Sequence, residues 1–276
     1  VWDREEERLL YSDIPRNTIY QWSEEDGVSV FMKPSGYTGV VDYGREPGSN
    51  ALVFDSKGRL VLCEHGDRRV SLLTRDGGKI TVADRFEGKR FNSPNDLAIH
   101  SSGAIHFTDP PYGLPQGVND PRRELDFFGV YRISTDGTVT ALVRDLPRPN
   151  GIAFSPDEST LYVEQSHSPA PVIMAYPVKA DGTVGEGRVF FDATPFRDSG
   201  RGLPDGLKVD VQGNLWATGP GGVFVISPEG DVLGRLMTGR ATANVAFGGP
   251  DGATLYITAN NSICRVPTLT TGAVQP

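Results

Sequence analysis

The strongest constraint on the fold is a polar residue that returns at one phase. Asn50, Asn95, Asn150 and Asp205 each stand just ahead of a short apolar run, roughly fifty residues apart. Each run is followed by a turn and a second apolar run. Asn50 leads through residues 51–54, past Gly58, into Leu60-Val61-Leu62. Asn95 leads past Gly103 into Ile105-His106-Phe107, Asn150 into Leu161-Tyr162-Val163, and Asp205 past Gly213 into Leu215-Trp216-Ala217. Leu10 and Tyr256 extend the series at either end, which gives six units. Each of the first five carries a later acidic–glycine pair between β-type runs: Asp26-Gly27, Asp76-Gly77, Asp136-Gly137, Asp181-Gly182 and Glu229-Gly230. Such a pair marks a hairpin, because glycine accepts the positive φ that the turn demands.

Four short strands per unit and no long amphipathic segment define an all-β chain. The expected fold is a six-bladed β-propeller of four-stranded antiparallel blades, a single domain over residues 1–276 with its first blade short at the N-terminal edge. The outer strand of the last blade is expected from residues 270–274 or from residues ahead of Val1. The aromatic residues Trp22, Phe107, Phe154, Trp216 and Phe224 recur at strand period and are assigned to the core. Cys63 and Cys264 lack metal-ligand spacing and read as small buried hydrophobes.

The net charge of −8 is dispersed and argues against nucleic-acid or anionic-membrane partners. No apolar run approaches the roughly 18 residues of a membrane span. The compartment stays open: cytoplasmic, or periplasmic or secreted if a leader precedes Val1. Oligomeric state is likewise unspecified.

In a propeller the first strand of each blade lines the axis. Asn50, Asn95, Asn150 and Asp205 are therefore expected to form a polar ring at one mouth. The loops after the second strands surround it, with Glu64, His65, Asp109, Tyr112, Glu164 and His167 among their residues. Amide and carboxylate oxygens converging on an axis suit a hard divalent cation; Ca²⁺ is expected, with Mg²⁺, Zn²⁺ or Mn²⁺ as alternatives. Taken one at a time, the same residues read equally well as caps of strand starts.

Five motifs in order carry a family resemblance: Ser93-Pro94-Asn95-Asp96-Leu97, Thr108-Asp109-Pro110-Pro111-Tyr112-Gly113, Pro149-Asn150-Gly151-Ile152-Ala153-Phe154-Ser155-Pro156-Asp157, Pro204-Asp205-Gly206 and Asn244-Val245-Ala246-Phe247-Gly248-Gly249. Across nearly its whole length the chain resembles the gluconolactonase, senescence-marker-protein (regucalcin) and luciferin-regenerating-enzyme family. That resemblance implies a six-bladed propeller with one divalent cation and hydrolysis of a sugar lactone. It makes Asn150 and Asp205 metal ligands and Asn95 a substrate contact. The family's third ligand is a glutamate that would fall three positions ahead of Val1. Glu5, Glu6 and Glu7 lie on the wrong face to replace it. Some members carry an arginine where this chain has Ser93, and Arg90 is out of phase with it.

On these grounds Asp205 is the expected catalytic residue, as ligand and as general base. Asn95, His65, Glu64, Asp109 and Tyr112 are expected to bind substrate. No Gly-x-Ser-x-Gly elbow is present, which speaks against a serine nucleophile. Two alternatives stand beside the lactonase: a phosphotriesterase-like propeller hydrolase, and a non-enzymatic propeller that binds a ligand at its mouth.

Overall fold

The computed structural model describes residues 1–273. Among them six antiparallel sheets follow one another along the chain as the blades of a six-bladed β-propeller. Five have four strands in the order A-B-C-D, each strand paired with its sequence neighbour. Blade one comprises Trp2–Asp3, Arg8–Asp13, Thr18–Ser23 and Gly27–Met32. Blade two comprises Ser49–Phe54, Leu60–Glu64, Arg69–Leu73 and Lys79–Ala83. Blade three comprises Leu97–Ile99, Ile105–Asp109, Gly129–Ile133 and Val139–Val143. Blade four comprises Pro149–Phe154, Thr160–Gln165, Val172–Pro177 and Arg188–Asp192. Blade five comprises Leu207–Val209, Leu215–Gly219, Gly222–Ile226 and Val232–Met237.

Blade six has three strands, Thr242–Gly248, Thr254–Ala259 and Ser262–Pro267. The segment expected to complete it goes elsewhere. Val211 N–H donates to the Thr271 carbonyl (3.0 Å), Ala273 N–H donates to the Val209 carbonyl (2.8 Å), and Asp210 bridges Gly272. Residues 271–273 therefore pair antiparallel with residues 209–211 at the end of strand A in blade five. Val274 lies outside the described residues.

The expected hairpins all lie between strands C and D. Gly77 (φ 80°) and Gly137 (φ 86°) occupy the left-handed region that their turns require. Two compact units are distinguished among the described residues, Val1–Pro147 with blades one to three and the chain from Arg148 onward with blades four to six. In the first, Phe86, Phe91, Phe107 and Tyr131 pack between blades two and three. In the second, Tyr162, Phe190, Phe191 and Phe224 do the same between blades four and five. Phe107, Phe154 and Phe224 are core residues as expected, but Trp22 and Trp216 are only half-buried. The Trp216 indole N–H donates to Asp210 Oδ2 (3.1 Å), so its polar edge faces a partner at the sheet end. Cys63 is buried as expected, but Cys264 is exposed, because its strand is the outermost of blade six among the described residues. No helix among the described residues is long and apolar enough to cross a membrane.

Candidate active site

The four phased residues are shared between the two units, Asn50 and Asn95 in the first, Asn150 and Asp205 in the second. In the first unit Asn50 is half-buried and its Nδ2 lies 3.4 Å from His65 Nε2. His65 is wholly buried, with Nδ1 3.7 Å from Glu46 Oε2. Burial lowers its pKa to about 4, which makes the imidazole neutral at physiological pH. Its ring packs directly on Gly113, where an added Cβ would lie 2.4 Å from His65 Cγ. Asn95 is buried, its N–H donating to the Thr108 carbonyl (2.8 Å) and its carbonyl accepting from Ala51 N–H (3.0 Å). Tyr112 is half-buried on the loop that follows.

Two residues expected to bind substrate are committed to the protein itself. Glu64 is fully buried and ion-paired with Arg69 (2.8 Å) and Lys79 (3.0 Å), and it accepts a hydrogen bond from the Ser71 hydroxyl. Successive strand residues face opposite ways, so Glu64 faces the sheet's own charges while His65 turns to the other side. Asp109 is also fully buried. It accepts from Asn92 N–H (2.8 Å), Ser93 N–H (2.7 Å) and Asn92 Nδ2 (3.0 Å). Burial outweighs those donors and raises its pKa to about 7. Its role is to anchor the segment that precedes Asn95. Ser93 finishes the clasp, donating to the Pro110 carbonyl (2.5 Å) and accepting from Gly113 N–H (3.0 Å).

In the second unit the start of strand A in blade four runs against Asp205. A Cβ added at Gly151 would lie 2.4 Å from the Asp205 carbonyl oxygen and 2.8 Å from Glu164 Oε2. Only glycine allows that approach. Asn150 is buried and donates from Nδ2 to Ser166 Oγ (2.8 Å), which turns its amide oxygen to the opposite side. Asp205 is half-buried. Its backbone N–H donates to Thr218 Oγ1 (3.1 Å), as does that of Gly206 (3.0 Å). Glu164 is buried beside this pair, and His167 is half-buried on the loop beyond. Asn150 and Asp205 offer an amide oxygen and a carboxylate, a hard donor set suited to Ca²⁺ or Mg²⁺. Among the described residues no group of three His, Cys, Asp or Glu side chains is disposed to hold a metal ion. The residues present thus fit a cation in donor chemistry while supplying only part of a coordination shell.

Sequence reasoning put Thr218 and Ser166 on the loops around the expected ring without giving either a role, and passed over Glu46. A signal for the first was available: Thr108, Thr218 and Thr258 each stand three residues after the first apolar residue of a strand B.

Comparison with known proteins agrees with the family resemblance. The family described as "SMP-30/Gluconolactonase/LRE-like region" matches residues 1–261. A gluconolactonase of Zymomonas mobilis is 40% identical over 281 residues, covering 99% of this chain and 78% of that protein. Pentonolactonase XacC of Haloferax volcanii is 28% identical over 94% of this chain and 79% of its own length. Among solved structures, a gluconolactonase from Xanthomonas campestris aligns with a TM-score of 0.82 at 33% identity, over 96% of this chain and 84% of that one. The match over nearly the whole chain, at identities of this order, places the protein in the SMP-30/gluconolactonase/LRE-like family.

Proposed function

We propose that the protein is a lactone hydrolase, that its substrate is a sugar lactone of the gluconolactone type, and that a divalent cation serves the reaction. The relatives named as gluconolactonase and pentonolactonase support the reaction class. The observation that supports the site is the close approach of Gly151, the residue after Asn150, to the Asp205 backbone. The residue after one proposed ligand, Asn150, thus touches the backbone of the other, Asp205. A cation held by Asn150 and Asp205, with Ca²⁺ the first choice, would polarise the lactone carbonyl.

Asp205 is the base. Its carboxylate accepts a proton from the attacking water as the new C–O bond forms at the carbonyl carbon. The ring C–O bond then breaks, the ring oxygen takes up a proton, and an open hydroxy acid leaves. Asn150 orients its amide oxygen through the Ser166 contact. Asn95, by its motif, contacts substrate, and Tyr112 and the neutral His65 belong to the same substrate-side set. A neutral imidazole is a hydrogen-bonding group rather than a competing positive charge.

The test is direct. Asp205→Ala lowers the hydrolysis of gluconolactone by about 10²-fold or more, in keeping with the typical worth of a positioned base. Chelation followed by dialysis has a comparable effect, reversed by added Ca²⁺ or Mg²⁺. A variant that keeps the parental rate would remove Asp205 from the chemistry. Phosphotriester hydrolysis, measured beside it, distinguishes the rival hydrolase; the lactone is the faster substrate.

A further inference from the structure

We propose that Thr218 is a positioning residue for Asp205, its hydroxyl fixing the backbone that aims the carboxylate. This role rests on the reading of Asp205 as ligand and base. Thr218 Oγ1 accepts from both Asp205 N–H (3.1 Å) and Gly206 N–H (3.0 Å). In return Thr218 N–H donates to the Gly206 carbonyl (3.1 Å). Ladder pairing in blade five begins only at Leu207, opposite Ala217. Residues 205 and 206 therefore lie beyond the regular sheet, and one side chain takes the place of the missing rung. Thr218 is 2% exposed, so water does not compete for those bonds.

The same device recurs where no catalytic role has been placed. In blade six Thr258 Oγ1 accepts from Asn244 N–H (2.8 Å) and donates to the Asn244 carbonyl (3.1 Å). In blade three Thr108 Oγ1 accepts from Asp96 N–H (3.1 Å) while Thr108 N–H donates to the Asp96 carbonyl (3.0 Å). Three strand-B threonines at one phase thus hold the entry to strand A. Blade four departs from the pattern, with Glu164 at that phase and Gly151 opposite it. The clasp is a structural habit of the fold, and in blade five the residue it holds is the one assigned the chemistry.

The C–D hairpin of blade five supplies an internal control, because Ser227 Oγ there accepts from Glu229 N–H (3.2 Å) and Asp231 N–H (3.3 Å). Thr258 does not serve, since the Asn244 it holds packs on Gly206, beside Asp205. Thr218→Val keeps shape and removes the acceptor; Thr218→Ser restores it; Ser227→Ala removes the two hairpin bonds. Gluconolactone kinetics, Ca²⁺ titration calorimetry and thermal melts are measured on each. For Thr218→Val the turnover rate is expected to fall by about 10-fold or more, consistent with the roughly 10²-fold cost of a misplacement of about 1 Å. KM changes little, Ca²⁺ binding weakens, and Thr218→Ser recovers most of the turnover. Ser227→Ala loses thermal stability and keeps the parental turnover. Should the valine variant fail to fold, Thr218→Cys, whose sulfur is a weak acceptor, shows the same direction. A Thr218 variant that melts early yet keeps its turnover and Ca²⁺ affinity overturns the proposal while Asp205→Ala remains inactive. An active Asp205→Ala overturns this proposal and the functional reading together.

Discussion

At the scale of single residues, the two titrating groups near the entry to blade three pull stability in opposite directions. The His65 imidazole has its pKa lowered by burial from 6.5 to about 4. Its contribution is complete above the ordinary value and is lost as pH falls through the window between the two, on the order of 3 kcal/mol at roughly 1.4 kcal/mol per unit. Asp109, raised by burial from 3.8 to about 7, contributes fully below its ordinary value and loses that contribution as pH rises through about 7. A melt against pH mixes the two, so a site-resolved measurement is needed. In an NMR titration the His65 ring carbon shifts remain those of the neutral form down to about pH 5, above its lowered pKa. A midpoint near the ordinary histidine value would mean that the ring is solvated. Sequence alone places His65 on a loop and leaves both its burial and its protonation open. These depend on Gly113 and Glu46, which arrive from other parts of the chain.

At the scale of the strand pair, phase was readable and facing was not. The starts of strands A and B follow from apolar runs and turn glycines, because sheet formation reads the chain with period two. Glu64 and His65 are adjacent at the end of one strand, and a shift of one residue exchanges their faces. Only the partners Arg69, Ser71 and Lys79 on the neighbouring strands settle which of the two side chains meets the sheet's own charges. The glycine after Asn150 has a similar history. In sequence it is one turn-like residue among many; in the structure it is the point where two strands touch. Gly151→Ala puts a methyl group against the Asp205 carbonyl, backbone that has no rotamer to escape into. Overpacking of this kind costs about 1–3 kcal/mol. The expected outcome is a lower denaturation midpoint together with a loss of lactonase activity that added Ca²⁺ does not repair. An alanine variant with parental stability and rate would mean that the strands separate freely, and the case for a shared site at residues 150–205 would go with it.

At the scale of the whole chain, the repeat was legible because six units obey one pattern, and its ending was not, because the ending breaks it. Residues 268–273 carry no alternation, and their place is decided by which edge still offers unpaired backbone groups. That edge lies at the far end of strand A in blade five, where Val209 and Val211 take the two bonds to residues 271 and 273. Gly272 sits so close to Phe247 that an added Cβ would lie 2.8 Å from the Phe247 Cβ. The segment thus covers an aromatic side chain of blade six while bonding to blade five. Net contributions of about 0.5–1.5 kcal/mol per hydrogen bond make the two together worth roughly 1–3 kcal/mol. Removing residues 271–276 should lower the unfolding free energy by that amount in urea, with little change in the m-value. A chain lacking only residues 274–276 serves as the control, since it retains both bonds. Strand A in blade five is also the strand that Asp205 precedes, but Thr218 holds Asp205 from the opposite end. The shortened chain is therefore expected to keep nearly the parental turnover. Equal stability of the two shortened chains would show that the strap contributes nothing. A collapse of turnover at preserved stability would show that the aim of Asp205 is set from both ends of the strand, and not by the threonine clasp alone.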